Sequence, residues 1–135
     1  MKDETKKELL SKAKKMLDFS YAPYSHFHVG AALLAKNGTI FTGCNIENAA
    51  YGPSNCAERT AIFKAVSEGV KEFEAIAIVG GLNGVFEDFC SPCGVCRQVM
   101  AEFCDKDFKI LLTNNKDEIK EFTLGDLLPE SFSLN

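Results

Sequence analysis

Residues 73–80, FEAIAIVG, contain a single charged residue, Glu74, among apolar residues. Their nearly continuous apolar character is typical of a β-strand that is buried on both faces of a sheet. Nearer the N-terminus, FHVGAALLA at residues 27–35 and TIFTGC at residues 39–44 flank Asn37-Gly38, a dipeptide typical of a tight hairpin turn. Nearer the C-terminus, FKILLT at residues 108–113 predicts a further strand. We therefore expect a sheet built around residues 73–80.

Helices are predicted on either side of the central stretch, at residues 3–18, 56–68 and 93–103. The element order is then α-β-β-α-β-α-β, with a weak further strand at residues 119–123. Strands that alternate with helices imply parallel crossovers, and the hairpin adds an antiparallel edge. We predict an α/β fold, a three-layer α/β/α sandwich with a mixed central sheet, in which residues 1–135 form a single domain.

Charge and composition argue against several classes of function. The net charge of −4 and the pI of about 5.2 do not predict a nucleic-acid surface. No apolar run approaches the roughly 18 residues of a membrane span, and the N-terminal residues lack the apolar core of a signal peptide. We expect a cytoplasmic protein with no nucleic-acid or membrane partner. Thiols stay reduced there, so the six cysteines favour metal ligands or nucleophiles over disulfides.

Two short motifs, CAER at residues 56–59 and PCGVCR at residues 92–97, stand at the starts of two predicted helices. Each follows a loop that follows a strand, so we expect both to lie at one end of the sheet, where sites form in open α/β folds. Three thiolates, from Cys56, Cys93 and Cys96, would leave one position of a tetrahedral zinc ion for water, as in a catalytic site. Helix N-termini stabilise thiolates and lower their pKa.

Three thiolates give a zinc site a net charge of −1, which weakens the metal as a Lewis acid. The chain has only two arginines, Arg59 and Arg97, and each directly follows one of the metal motifs. A guanidinium can donate to several acceptors at once, so we predict that Arg59 and Arg97 donate to the zinc-bound sulfurs. The alternative is that either arginine is an incidental surface residue.

Glu58 falls on the helix stripe formed by Ala61, Ile62 and Ala65, which is expected to pack against the sheet. A carboxylate buried there is costly without a task or a partner. One interpretation is a helix cap, because Asn55-x-x-Glu58 resembles a capping box. Beside three candidate zinc ligands, a proton-shuttling acid and base is the stronger interpretation, and we predict that Glu58 is catalytic.

The cysteines also admit other interpretations. Cys44, Cys90 or Cys104 could add a fourth thiolate and give a closed, structural zinc site, and Cys90 is the closest of them to the second motif. A C-x-x-C sequence can also form a redox pair, although that would leave Cys56 unexplained.

The pattern C-A-E…P-C-x-x-C matches the signature of the zinc nucleobase deaminases, with cysteine in place of the usual histidine. Residues 21–25 (YAPYS), 42–48 (TGCNIEN) and 91–99 (SPCGVCRQV) extend the match, and the chain resembles the short, homotetrameric cytidine deaminases along almost its whole length. Cys90 and the somewhat long loop at residues 82–90 depart from their pattern.

The resemblance implies a cytidine-deaminase-like fold and one zinc ion per subunit. It implies hydrolysis of cytidine and deoxycytidine to uridine and deoxyuridine, by zinc-bound hydroxide and with release of ammonia, in pyrimidine salvage. The implied partners are a small nucleoside and three further copies of the chain, which complete each other's sites. A sister enzyme that acts on another aminopyrimidine, such as blasticidin S, is the nearest rival.

The resemblance also implies which residues contact the nucleoside: Asn45 and Glu47 at the sugar 3′-hydroxyl, Phe27 on the pyrimidine ring, the backbone of Ala57 and Cys93 at the base edge, and Tyr51 and Phe132 in the site of a neighbouring subunit.

Overall fold

A computed structural model describes residues 1–134 and contains five strands in a single mixed sheet. The strands are β1 (Phe27–Ala35), β2 (Ile40–Cys44), β3 (Phe73–Leu82), β4 (Lys109–Thr113) and β5 (Ile119–Thr123). The helices are α1 (Asp3–Lys15), α2 (Ala57–Ser67), α3 (Gly94–Phe103) and the short α4 (Leu124–Leu127), with a 3₁₀ turn at Met16–Phe19.

The strand order across the sheet is β2-β1-β3-β4-β5. Strand β1 is antiparallel to both β2 and β3, β3 is parallel to β4, and β5 is antiparallel to β4. Strands β2, β3 and β4 therefore run in the same direction. The segments that follow β2 and β3, which carry the two cysteine motifs, leave the sheet at the same edge as the start of β1.

The helices cover the two faces of the sheet. Helix α1 packs on one face, where its buried Leu9 and Leu10 meet small sheet residues such as Ala75 and Ala77. Helices α2 and α3 pack on the other face, against a cluster that includes Ile76 and other large residues. Neighbouring residues of β3 point to opposite faces of the sheet, so its apolar residues pack alternately against the helices on the two sides. The predicted α/β/α sandwich with a mixed sheet is confirmed.

The structure differs from the predicted elements at their ends. The predicted helix at residues 3–18 becomes α1 followed by the 3₁₀ turn. Helix α4 was not predicted, although Thr123 and Asp126 form a reciprocal capping box at its start that can be read from a sequence. Within residues 1–134, no helix combines the length and the apolar character needed to cross a membrane.

Candidate active site

The three predicted metal ligands lie together at the starts of α2 and α3. Cys56 is the N-cap of α2, Cys93 is the N-cap of α3, and Cys96 lies in the first turn of α3. The Sγ atoms of Cys56 and Cys93 are 3.8 Å apart, those of Cys93 and Cys96 are 3.5 Å apart, and all three lie within 4.8 Å of one another. A tetrahedral zinc ion with Zn–S bonds of about 2.3 Å places its sulfur ligands about 3.8 Å apart. The three thiols therefore fit a tetrahedral ion that keeps its fourth position open.

The two helix N-termini and Arg59 favour the thiolate form that binds a metal ion. Neither N-cap side chain caps its helix, so the first-turn N–H groups remain available to stabilise negative charge. The hydrogen bond from Cys96, followed by that from Arg59, lowers the pKa of Cys56 to about 5. The same hydrogen bond to Cys56, together with burial, raises the pKa of Cys96. Binding of a metal ion to these sulfurs would displace the protons that the thiols still carry.

The two arginines have different partners. Arg59 donates from Nη2 to the Sγ atom of Cys56 over 3.3 Å, as predicted. Arg97 donates from Nε to the carbonyl of Pro92 and from Nη1 to the carbonyl of Leu127, both over 2.8 Å. The prediction that Arg97 donates to sulfur is wrong, because its guanidinium ties α3 to two backbone segments instead.

Cys90 and Cys104 lie outside the cluster of three thiols. Burial, followed by the nearby charges of Glu58 and Cys56, raises the pKa of Cys90 to about 12, so this sulfur remains a thiol. The residues that the structure describes therefore form no closed site of four cysteines. The redox interpretation is also disfavoured, because Cys56 joins the C-x-x-C pair within metal-binding distance.

Glu58 is 4% exposed and lies on the buried face of α2, as its stripe predicts. The capping-box interpretation is wrong, because the N-cap is Cys56 and the Asn55 amide donates to Oγ1 of Thr60 over 3.3 Å. Burial raises the pKa of Glu58 to about 7, and the negative charge of Cys56 acts in the same direction. A carboxyl with this pKa can take up and release a proton near neutral pH.

Asn45 is held by three hydrogen bonds on one side of the site. Its Oδ1 atom accepts from the hydroxyl of Ser20 and from the N–H of Val29, the latter over 2.8 Å. Its Nδ2 atom donates to the carbonyl of Phe27 over 2.8 Å. These partners fix the orientation of the amide, and they leave one of its two N–H groups for a ligand.

Glu47 is held by the segment that precedes β1. Its Oε1 atom accepts from the backbone N–H groups of Tyr24 and Ser25, over 3.0 and 3.1 Å. Hydrogen bonds from the side chain and backbone of Ser25, followed by that from the backbone of Tyr24, lower the pKa of Glu47. The carboxylate is therefore ionised at neutral pH, and its Oε2 atom remains an acceptor for a ligand.

A short backbone ladder connects the Asn45–Glu47 segment to the thiol cluster. Ile46 forms a parallel bridge with Tyr21 on one side and an antiparallel bridge with Asn55 on the other. Two hydrogen bonds of 2.9 Å join Ile46 and Asn55, which directly precedes Cys56. The spacing between the two halves of the site is therefore set by main-chain contacts.

One cavity of about 520 Å³ contains most of the predicted site. Its lining includes Asn45, Glu47, Tyr51, Cys56, Ala57, Glu58, Arg59 and Cys93. Four predicted residues lie outside this lining. Cys96 is buried in the thiol cluster, and Arg97 contacts two backbone carbonyls. Phe27 lines an adjoining cavity of about 580 Å³, and Phe132 is 68% exposed. The sequence did not point to Val29, which also lines the main cavity and lies two residues beyond Phe27 on the same side of β1.

Comparison with known proteins agrees with this geometry. The sequence model of the cytidine and deoxycytidylate deaminase zinc-binding region matches residues 3–112, which include all three clustered thiols. The chain belongs to this family. It is 55% identical to a cytidine deaminase of Sporosarcina psychrophila over 126 residues, which cover 93% of this chain and 90% of that protein. It is 50% identical to a cytidine deaminase of Halalkalibacterium halodurans over 125 residues, covering 93% and 92% of the two chains.

The fold agrees with a solved structure of the family. The crystal structure of cytidine deaminase from Burkholderia pseudomallei superposes with a TM-score of 0.86 at 45% identity, covering 98% of this chain and 100% of that chain. Because the matched region of the family is a zinc-binding region and the thiols of Cys56, Cys93 and Cys96 fit a tetrahedral ion, the cofactor of this site is zinc.

Proposed function

We propose that this chain catalyses the hydrolytic deamination of cytidine and deoxycytidine to uridine and deoxyuridine, with release of ammonia, as a step of pyrimidine salvage. The proposal rests on one observation: the buried Glu58, two of the three clustered thiols, Asn45 and Glu47 all line the same cavity. The identity of 55% to a relative named cytidine deaminase supports the same substrate.

Glu58 is the proton carrier in this proposal. Zinc, when bound by the three thiolates, lowers the pKa of a water molecule so that it can attack C4 of the pyrimidine. Glu58 would take one proton from that water and donate it to ring N3. It would then take the remaining proton from the same oxygen and deliver it to the departing amine, so that the two protons of the water account for both transfers. Its burial supports the role, because a desolvated carboxyl exchanges protons near neutral pH, whereas an exposed one stays ionised.

The charges of the cavity favour a nucleoside over a nucleotide. Among the described residues that line it, Arg59 is the only cation, and its guanidinium is engaged by Cys56. Glu47 adds a negative charge to the lining. A phosphate group would have no free cationic partner there and would be repelled by the carboxylate. We therefore expect deoxycytidylate to be a poor substrate.

Asn45 and Glu47 are complementary to a sugar hydroxyl. A hydroxyl group carries one donor and can also accept. The remaining N–H of Asn45 can donate to its oxygen, while Oε2 of Glu47 can accept its proton. This pair supports a nucleoside substrate over a free base, which offers no hydroxyl.

We further propose that the chain acts as a cytoplasmic homotetramer in which neighbouring subunits complete each site. Tyr51 and Phe132 are 75% and 68% exposed, so both rings are available for contact with a neighbouring subunit. Light scattering during gel filtration tests the assembly. A fully active monomer would contradict it.

The function is tested with the purified chain loaded with zinc. We expect the ultraviolet absorbance of cytidine and deoxycytidine to fall as ammonia is released, and we expect much slower turnover of cytosine and deoxycytidylate. Chelation of zinc should abolish turnover, and added zinc should restore it. Asn45→Ala and Glu47→Gln should reduce kcat/KM for cytidine far more than for cytosine. Efficient turnover of blasticidin S with none of cytidine would overturn the proposal.

A further inference from the structure

We propose that Ser20 is a positioning residue, whose hydroxyl joins the backbone of Val29 and Phe27 in holding Asn45 so that its amide meets the 3′-hydroxyl of the nucleoside only as a donor. The inference rests on the proposed function, because the Asn45 amide matters only if a nucleoside binds beside it. Its starting point is the hydrogen bond from the Ser20 hydroxyl to Oδ1 of Asn45, which joins side chains 25 positions apart in the chain.

The backbone holds Ser20 in place beside Asn45. Ser20 is half-buried and extended, with φ −60° and ψ 133°, and it directly follows the 3₁₀ turn. The next residue, Tyr21, donates its N–H to the carbonyl of Asn45 over 3.0 Å and accepts from the N–H of Glu47 over 2.8 Å. The backbone hydrogen bonds of Tyr21 therefore place the Ser20 hydroxyl next to Asn45 and Glu47, the two residues proposed to contact the sugar.

The hydrogen bonds of Asn45 show what Ser20 adds. A side-chain oxygen has two acceptor positions, and in Asn45 these are filled by the N–H of Val29 and the hydroxyl of Ser20. The amide can then serve a ligand only as a donor, through the N–H that does not contact the Phe27 carbonyl. Without the Ser20 hydroxyl, one lone pair of Oδ1 is free, and the amide loses one of its three restraints.

A donor-only Asn45 matches an acceptor-only Glu47. The carboxylate must take the proton of the sugar hydroxyl, so that hydroxyl can only accept from its other neighbour. An amide that offered its oxygen would leave two acceptors facing each other across one proton. Ser20 therefore acts on recognition of the sugar, and it lies outside the group of residues that contact the reacting atoms.

The test compares cytidine with 3′-deoxycytidine, which lacks the hydroxyl in question, on the zinc-loaded full chain. In Ser20→Ala we expect the KM for cytidine to rise about fivefold, as for the loss of one hydrogen bond. We expect kcat for cytidine and both constants for 3′-deoxycytidine to stay within about twofold of the original values. Ser20→Thr keeps the hydroxyl and should keep the original preference between the substrates. Asn45→Ala serves as the control that removes the preference.

The outcomes separate this inference from the proposed function. An active Ser20→Ala variant with an unchanged ratio of kcat/KM for the two substrates would overturn the role of Ser20 alone. Equal losses on both substrates, or a Ser20→Ala chain that does not fold, would assign Ser20 a structural role and also overturn it. Absence of cytidine turnover by the unaltered, zinc-loaded chain would overturn the proposed function first.

Discussion

The N-termini of α2 and α3 begin alike and then differ. Each helix starts with a cysteine at its N-cap in extended conformation, with no side-chain cap, and each contributes a thiol to the same cluster. In α2 the next two residues, Ala57 and Glu58, are buried. In α3 the corresponding residues are Gly94 and Val95, which are exposed, Val95 to 57%.

Both helices begin with a cysteine motif followed by an arginine, but the structure gives the two helix starts different roles. Helix α2 brings a buried carboxyl and a guanidinium to the sulfur cluster, through Glu58 and Arg59. Helix α3 brings two of the three thiols, while its arginine joins α3 to the backbone of residues 92 and 127. We infer that α3 chiefly holds the metal and that α2 also controls protons and charge. Paired substitutions on the two helices test this division.

The largest effect is expected from Glu58→Gln. The amide preserves the size of the side chain but cannot carry the proton, so kcat for cytidine should fall about 10³-fold or more. Zinc content and the midpoint of thermal unfolding should not fall, because a neutral buried group costs less than a charged one. Glu102→Gln is the matched control on the exposed face of α3, and it should leave kcat unchanged. Substantial activity in Glu58→Gln would remove Glu58 from the proposed role.

The contrast also shows how far the sequence could predict this site. The FEAIAIVG strand, the stripe of α2 and the grouping of the three thiols follow from local periodicity and from the rule that segments after parallel strands meet at one edge. The partner of Arg97 does not follow, because Leu127 lies 30 positions away and the path of the C-terminal segment decides whether its carbonyl is near.

The same limit applies to the part of the cavity proposed to bind the sugar. Asn45 and Glu47 came from resemblance to a family, since a polar loop alone is equally well explained as a turn. The contacts that orient them, from Ser20, Tyr24 and Ser25, join segments more than 20 positions apart. No periodic pattern encodes such contacts, because they depend on how two loops cross the same edge of the sheet.

A smaller effect is expected from removing either arginine, and the two variants should lose different properties. Arg59→Ala removes the cation beside Cys56, so zinc affinity and kcat should each fall about 10- to 100-fold, as for other partners of metal ligands. Arg97→Ala leaves two carbonyls without their donor and should lower the free energy of unfolding by about 1–2 kcal/mol, with zinc affinity unchanged. Competition with a chelator measures the first quantity and denaturant titration the second. Equal losses of zinc affinity in both variants would contradict the division between α2 and α3.

The smallest effect on catalysis is expected from adding one methyl group near each helix start. A Cβ atom on Gly43 of β2 would lie 2.5 Å from the carbonyl oxygen of Ala57 and 2.6 Å from the backbone nitrogen of Ala61, so α2 must shift to admit it. Such overpacking costs about 1–3 kcal/mol, which lowers the unfolding midpoint of a chain of this size by about 4–10 °C.

A Cβ atom on Gly94 of α3 meets nothing within 4 Å, so Gly94→Ala should shift the midpoint by no more than about 2 °C. Calorimetry of both variants measures the midpoints, and cytidine kinetics should show a lower kcat only for Gly43→Ala, because displacement of α2 moves Glu58. A loss of kcat in a stable Gly94→Ala variant would mean that the start of α3 also positions the reacting groups, and the two helices would then share the task that we assign to α2.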